Sequence, residues 1–198
     1  AMLRAGLFQE PTDQTVERLE KVALGAASHA WQRGTLALGA AAGFRRDGRG
    51  EAAVALLEQQ LRARQSRLEK SAVVVALGNA GRESSLELIA EVAQDPSPQL
   101  RVRAAEALRK LEVPRAQVIL TDLLRDEEEN VVAAAMKTLR RYEALIPSAR
   151  DAVLDQAESG RVADFALTHA VDLVERHGGP RRPRALTALL HHPPRGRP

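Results

Sequence analysis

The chain has 198 residues, 44% of them hydrophobic and only 3% aromatic, so its core must consist mainly of Ala, Leu and Val, which favours helices over strands. It has no cysteine, which excludes disulfides, thiolate metal sites and cysteine nucleophiles. The net charge of +3 comes from one end, because residues 181–198 hold five of the 29 basic residues and no acid. The residues before them contain 24 basic and 26 acidic side chains, which excludes a strongly basic body.

Apolar positions at helical spacing predict a succession of helices along the whole chain. In the clearest example, Leu100, Ala104 and Leu108 fall on one face of a helix that ends before Pro114. Gly81 follows another predicted helix, at a position where a left-handed residue is common. The predicted helices cover 12–26, 27–42, 50–65, 66–80, 84–95, 99–111, 115–126, 129–142, 149–158, 161–176 and a short segment at 185–190.

A recurring leucine organises these helices into copies of one unit. Leu77, Leu108 and Leu139 are separated by steps of 31 residues, and Leu38 precedes Leu77 by 39. The extra length matches a stretch rich in Gly and Arg at 43–51, which predicts a long loop there. The sequence therefore predicts an all-α protein, a right-handed α-α superhelix (solenoid) of about five to six helical-hairpin repeats.

The repeats also suggest how the chain is divided. We expect a repeat domain at 1–180 and a basic Pro- and Arg-rich tail at 181–198, with a short capping helix at 185–190 over the last open face. The first residues lack the basic start and apolar core of a signal peptide, and no run approaches the ~18 apolar residues of a membrane span. We therefore expect no membrane span and a cytoplasmic location.

The segment RVRAAEAL, Arg101–Leu108, resembles the V-R-x-x-A-A-x-A-L first-helix signature of HEAT-like (armadillo-type) α-solenoid repeats. The 31-residue step is similar to that of the compact HEAT-like repeats of bacterial proteins, including phycobilisome lyase subunits. A narrower likeness covers KSAVVVALGNAGRESSLELI, Lys70–Ile89, which is similar to the helical domain of vitellogenin-type lipid-transfer proteins. These resemblances imply the helical repeat fold. Lipid transport cannot be carried over from them, because the sequence has no strand-rich region for the lipid-binding sheets.

No pattern in the sequence indicates catalysis. It contains no G-x-S-x-G, P-loop or G-x-G-x-x-G motif, and its five histidines lack metal-ligand spacing. HEAT-like DNA glycosylases use a Trp, an Asp and an Arg, but Trp31 has no acid one helical turn away, so we place it in the core. We therefore expect a protein that is not an enzyme and has no catalytic residue, metal or cofactor.

Arginines are the candidate partner-binding residues, and two interpretations of them stay open. They can pair with acids of neighbouring repeats or complement helix C-termini, which is a structural role. They can also align along one ridge as a binding strip for an acidic partner. The candidates are Arg45, Arg46 and Arg49 in the predicted loop, Arg101 and Arg103 early in one helix, and Arg140 and Arg141 at the end of another.

The expected function is that of a non-enzymatic scaffold or adaptor. A solenoid offers a long groove, which would bind another protein or another domain of the same chain. The alternative is sequence-nonspecific binding of duplex nucleic acid through the arginines, because duplex backbone binding needs only cations. The scarcity of aromatics argues against single strands. A third possibility, an adaptor related to chromophore lyases, follows from the repeat likeness alone.

Overall fold

The computed structural model describes residues 11–45, 47–160 and 162–191, and every regular element in these ranges is helical. The eleven described helices pair along the sequence, which confirms the all-α class and the five to six helical hairpins of an α-solenoid. None of them is both long and apolar enough to cross a membrane. They are α1 Asp13–Ala23, α2 His29–Phe44, α3 Gly48–Ala63, α4 Arg67–Ala80, α5 Leu86–Val92, α6 Pro98–Ala107, α7 Pro114–Leu123, α8 Glu129–Leu139, α9 Pro147–Glu158, α10 Leu167–His177 and α11 Arg182–Leu190.

The chain forms two compact units, which divide after Leu88. Within the first unit, α2 packs against α1, α3 and α4. Within the second unit, α6, α8 and α10 form one layer, and α7, α9 and α11 form the other. Each unit therefore has the two-layered packing of helical hairpins that the repeat predicts, while the handedness of the superhelix stays a prediction.

Small residues let the helices approach closely. A Cβ atom on Gly39 of α2 would collide with the backbone carbonyl of Ala76 in α4, so only glycine fits at this contact. In the second unit, Ala104 of α6 and Ala135 of α8 are completely buried. Leucines such as Leu108 fill the remaining space, as expected for a core packed to the density of an organic crystal.

Trp31 belongs to the core of the first unit, as the sequence predicts. It is only 4% exposed, and its indole N–H donates to the carbonyl oxygen of Ala23 at 2.9 Å. The guanidinium of Arg64 lies 4.8 Å from the ring centroid, within the range of a cation–π contact. The indole nitrogen and the ring face thus both have partners inside the unit.

Gly81 ends α4 in the left-handed conformation, with φ of 60° and ψ of 45°. This conformation is strained for residues that carry a Cβ, so the sequence prediction of a helix end at Gly81 is confirmed. A 3-10 turn at Glu83–Ser85 leads from there into α5. The buried hydroxyl of Ser85 donates to Oε1 of Glu58 at 2.7 Å, which ties this turn to α3.

The long loop predicted at 43–51 is wrong. α2 continues to Phe44 and α3 begins at Gly48, so residues 45–47 are the whole connection. Asp47 accounts for the early start of α3, because its carboxylate accepts the backbone N–H of Gly50 at 3.0 Å and caps the helix. The glycines of this stretch lie in a helix and not in a flexible segment.

Two predicted helices end earlier than expected, α6 at Ala107 and α8 at Leu139, and each continues as tight turns. Tyr142 shows the reason. Its buried hydroxyl lies 2.6 Å from the carbonyl oxygen of Leu111 and 3.0 Å from that of Leu108, either of which accepts its proton. These two carbonyls lie just after the end of α6. The turns after α8 bring the Tyr142 hydroxyl to them, and a longer α8 would leave both carbonyl oxygens without this donor.

The last two helices also differ in detail from the sequence prediction. α10 begins at Leu167 and not at 161. The backbone of Ala163 is extended and leads into a 3-10 turn, so the helix cannot start earlier, and Val162 and Ala163 are buried ahead of it. α11 packs against α9 and α10 and buries Ala185 and Leu189. Its capping role and the domain boundary at 180 stay predictions. Residues 192–198 of the predicted tail lie outside the described residues.

We expect Tyr142→Phe to lower the free energy of unfolding by about 1–2 kcal/mol, because buried carbonyl oxygens lose their donor while the ring still fills its site. The change should lower the midpoint of urea unfolding followed by circular dichroism and leave the slope unchanged. An unchanged midpoint would show that the hydroxyl does not stabilise the ends of α6 and α8.

Candidate partner-binding groove

Arg45 connects elements of the first unit. Its guanidinium forms ion pairs with Asp13, at 2.6 Å, and with Asp47, and it donates to the carbonyl oxygen of Pro11 at 2.9 Å. Hydrogen bonds from Arg45 and from the Gly50 amide lower the pKa of Asp47 to about 2. The structure thus uses Arg45 to join the start of α1 to the start of α3.

Arg49 has a similar place in the first unit. It lies within α3, and its guanidinium is 3.3 Å from both Glu17 and Glu20 of α1. The expected basic loop is therefore absent, and both described arginines of this stretch contact acids at the α1–α3 packing. Arg46 lies outside the described residues.

Arg101 is buried and paired. It forms hydrogen bonds of 2.7 and 2.8 Å with the carboxylate of Asp126, and it donates to the carbonyl oxygens of Asp95 and Pro96. Burial by itself would raise the pKa of Asp126, but the hydrogen bonds from Arg101 and the Glu128 amide lower it below the ordinary value. This geometry favours the structural interpretation for Arg101, because each of its three guanidinium nitrogens donates to a group of its own chain.

Arg103, two residues further along α6, is exposed instead. It pairs with Glu106 at 2.7 Å, and Lys137 of α8 approaches the same carboxylate at 3.8 Å. Two cations therefore share one acid on the exposed side of α6 and α8. Exposed pairs of this kind contribute little to stability, which leaves both cations able to accept a new partner.

Arg140 joins α8 to α10. Its guanidinium donates to Asp172 at 2.7 Å and to Nδ1 of His169 at 2.8 Å, so His169 carries its proton on Nε2. Burial, followed by Arg140 and Lys137, lowers the pKa of His169 and favours this neutral form. Arg141 is exposed and forms no ion pair with a described residue.

A groove of about 380 Å³, here called the α6–α8 groove, runs between the exposed faces of α6 and α8 and the start of α10. Its floor consists of Val102, Ala133 and Ala134, and the side chain of Phe165 stands at its edge, 58% exposed. The polar residues that line it are Gln99, Arg103, Glu106, Asn130, Lys137 and His169.

The groove residues occupy equivalent positions of successive repeats. Val102 and Ala133 are 31 residues apart, as are Glu106 and Lys137. The same step relates the two remaining lining residues of α6, Gln99 and Arg103, to Asn130 and Ala134 of α8. The groove is thus a direct product of the repeat that builds the fold.

Sequence reasoning included Arg103 among its candidates but missed Lys137, Phe165 and His169. A signal for them was present, because exposed positions of one repeat reappear 31 residues later beside their equivalents. The 31-residue step that relates the buried leucines also leads from the exposed face of α6 to Lys137. Phe165 needs the structure, since it lies in the turn before α10.

Two other hollows of about 400 Å³ are predominantly acidic. One is lined by Glu51, Glu58 and Glu83 beside Arg82, and the other by Asp126, Glu127 and Glu129 beside Arg125. Neither lining includes an exposed large hydrophobic side chain. In the described part of the chain, no three or more His, Asp or Glu residues are placed to hold a metal ion. The α6–α8 groove is therefore the stronger candidate for a binding site.

Comparisons with known proteins agree with this fold. Residues 54–140 match the family model for HEAT repeats, which are typical of scaffold and interaction folds. The crystal structure of an engineered protein from the Northeast Structural Genomics Consortium is similar, with a TM-score of 0.51 and 15% identity over 90% of this chain and 98% of that chain. At this identity the likeness shows the fold alone. The search of curated proteins gave no match.

We expect Asp126→Ala to lower the free energy of unfolding by about 3–5 kcal/mol, because it leaves the buried guanidinium of Arg101 without a counter-charge. Asp122→Ala is the matched control, since Asp122 pairs with Arg125 at the surface and should cost at most about 1 kcal/mol. Urea unfolding of both variants measures the difference. Equal costs would contradict a structural role for the Arg101–Asp126 pair.

The Asp47 carboxylate should titrate with a pKa of about 2 in an NMR experiment, and Arg45→Gln should raise this value towards the model-peptide value of 3.8. Because folding lowers the pKa of Asp47, its contribution to stability is present above about pH 4 and is lost as the pH falls through 2. Unfolding of the wild type should thus depend more steeply on pH between about 4 and 2 than that of Asp47→Asn. Equal slopes would show that the Arg45–Asp47 contact does not form in solution.

Proposed function

We propose that this chain, which is a HEAT-like helical repeat protein, is a non-enzymatic scaffold whose α6–α8 groove binds a segment of another protein. The observation that carries the proposal is the exposed ring of Phe165 at the edge of a groove with an apolar floor. Aromatic side chains are enriched at interfaces, and binding energy concentrates where they fill or form pockets. A partner side chain on this floor would remove the Phe165 ring from water.

The dimensions of the groove suit a single chain. Packed helices lie about 8–10 Å apart, so the hollow between two of them accepts one row of side chains from a helix or an extended peptide. The volume of about 380 Å³ gives room for a few side chains of a partner and not for a folded domain. We therefore expect recognition of a short segment, either of another protein or of another domain of the same chain.

The contacts of four candidate arginines support this assignment indirectly. Arg45, Arg49, Arg101 and Arg140 all contact acids of their own chain, so the fold already uses them. This weakens the alternative of duplex nucleic-acid binding, which would require many of these cations to face outward. Duplex binding stays a candidate only for the exposed cations beside the groove.

The cytoplasmic location stays a prediction.

A selection with random peptides displayed on phage, using the full chain as bait, tests the proposal. We expect enriched peptides that bind the wild type and bind Phe165→Gln about tenfold more weakly or worse, because burial of an apolar side chain contributes about 1.5–3 kcal/mol. Fluorescence anisotropy with synthetic copies of the peptides measures the dissociation constants.

Val118→Gln is the matched control. Val118 is an exposed apolar residue of α7, in the other layer of the same unit, and is 48% exposed against 58% for Phe165. Its replacement should leave peptide binding unchanged. The proposal fails if no peptide is enriched, or if the enriched peptides bind both variants as tightly as the wild type.

A further inference from the structure

Basic side chains continue from the α6–α8 groove towards the C-terminal ends of its helices. Equivalent positions directly after α6 and α8 carry them, and α10 adds Arg176, which donates to the carbonyl oxygen of Arg140 at 2.8 Å. We call this set the basic stripe. Its members are Arg103, Arg109, Lys110, Lys137, Arg140, Arg141 and Arg176.

The stripe concentrates positive charge in an acidic part of the chain. Residues 89–180 contain 12 basic and 16 acidic residues, yet the stripe holds seven of the bases. Arg103 and Lys137 share Glu106, and Arg140 and Arg176 share Asp172. These four cations therefore exceed their two acids, although the segment as a whole is negative.

Tyr142 brings the two basic ends together. Its hydroxyl bonds to the carbonyls after α6 and so places the end of α8, with Arg141, beside Arg109 and Lys110. Burial, followed by the repulsion of Arg141, lowers the pKa of Arg109, and burial followed by the charge of Arg109 lowers that of Lys110. Arg109 thus lies close enough to Arg141 and Lys110 for their charges to interact.

Cations near a helix C-terminus also interact favourably with the macrodipole, so helix stability accounts for part of the stripe. In the other layer, Arg125 follows the end of α7 by two residues and pairs with Asp122. The two layers differ within the last turns of their helices, because α8 and α10 carry Lys137 and Arg176 there, whereas α7 and α9 carry no basic residue.

We infer that the partner segment is acidic. One of its apolar side chains packs on Phe165 and the groove floor, and carboxylates next to that side chain pair with Lys137 and Arg141. This inference rests on the proposed function and specifies the chemistry of its partner. From Ala134 on the floor to Leu139, its last residue, α8 rises by ~7.5 Å, and Arg141 lies two residues further on. An extended peptide covers this span in about three residues. The carboxylates should therefore lie within about three or four residues of the apolar anchor.

An acidic protein segment fits the surface better than nucleic acid does. A duplex would contact the cations through its phosphates but would leave the apolar floor unfilled, because its bases are stacked inside. A single strand would need a series of aromatic rings for its bases, whereas the lining of the groove includes one, Phe165. A peptide uses the floor and the stripe together.

The test uses the full chain and two labelled synthetic peptides. One has a central leucine flanked on both sides by Asp and Glu, and the other carries Asn and Gln in place of every acid. We expect the acidic peptide to bind at least about tenfold more tightly, with an affinity that falls as salt rises. The double variant Lys137→Gln/Arg141→Gln should lose about tenfold in affinity for the acidic peptide alone.

Arg125→Gln/Arg150→Gln is the matched control. It removes the same charge from two exposed arginines whose acid partners, Asp122 and Asp151, lie outside the stripe, and it should change affinity less than about twofold. All four replaced residues are exposed, and circular dichroism of both double variants should match the wild type.

Each contrary result has a distinct meaning. If neutral peptides from the selection bind as tightly as acidic ones and depend on Phe165, the acidic partner is wrong while the proposed function stands. If the two double variants bind the acidic peptide equally well, the stripe does not select the partner and the inference is also wrong. If duplex DNA binds more tightly than either peptide, depends on Lys137 and Arg141 and ignores Phe165→Gln, the surface binds nucleic acid and both proposals fail.

Discussion

Close approach of neighbouring helices is the constraint on which each unit of this chain depends. No single hairpin buries enough apolar surface to be stable alone, so each must pack against the next. Gly39 meets this requirement between α2 and α4, and Ala104 and Ala135 are buried in α6 and α8. Since these inward positions are fixed by packing, the outward positions of the same helices are where one repeat can differ from another.

The division between inward and outward positions separates two arginines that are neighbours in sequence. Residues two apart on a helix point about 200° away from each other, since each residue turns the helix by about 100°. Arg101 accordingly turns inward to Asp126, and Arg103 turns outward to the groove. The buried pair must be complete to be tolerated, because either charge alone would be costly. The exposed residue carries no such requirement and is free to serve recognition.

The repeat made the fold predictable, because the 31-residue step of the leucines and the helical spacing between them depend on local sequence. The ends of the helices were harder, since they depend on contacts that form only in the folded chain. α3 begins early because Asp47 caps it, and α8 ends early at turns that carry Tyr142 to the carbonyls after α6. A stretch rich in glycine and arginine resembles a flexible loop until such a cap is recognised.

The candidate site was predictable only in part, for a related reason. Arg103 belongs to a recognisable signature, whereas Phe165 belongs to no repeat position that sequence reasoning had defined. Its importance arises from the place of its turn beside the floor formed by α6 and α8. A scan of exposed positions at the repeat step would have paired Glu106 with Lys137, but it would not have located the aromatic ring.

The repeat also explains how a chain with little net charge can present a basic surface. Equivalent helices of one layer run in the same direction, so their C-terminal ends lie side by side. A cation that each helix carries near its end contributes only a few tenths of a kcal/mol to about 1 kcal/mol through the macrodipole. Placed next to its equivalents, it also adds to a field that a partner feels across the whole layer. Some acids of the segment lie at the other end of α8, in the run Asp126–Glu129, where they favour the helix N-terminus. Glu106 and Asp172 lie among the cations instead, and each is shared by two of them. The repeat therefore gathers cations at one end of the layer although the segment as a whole is acidic.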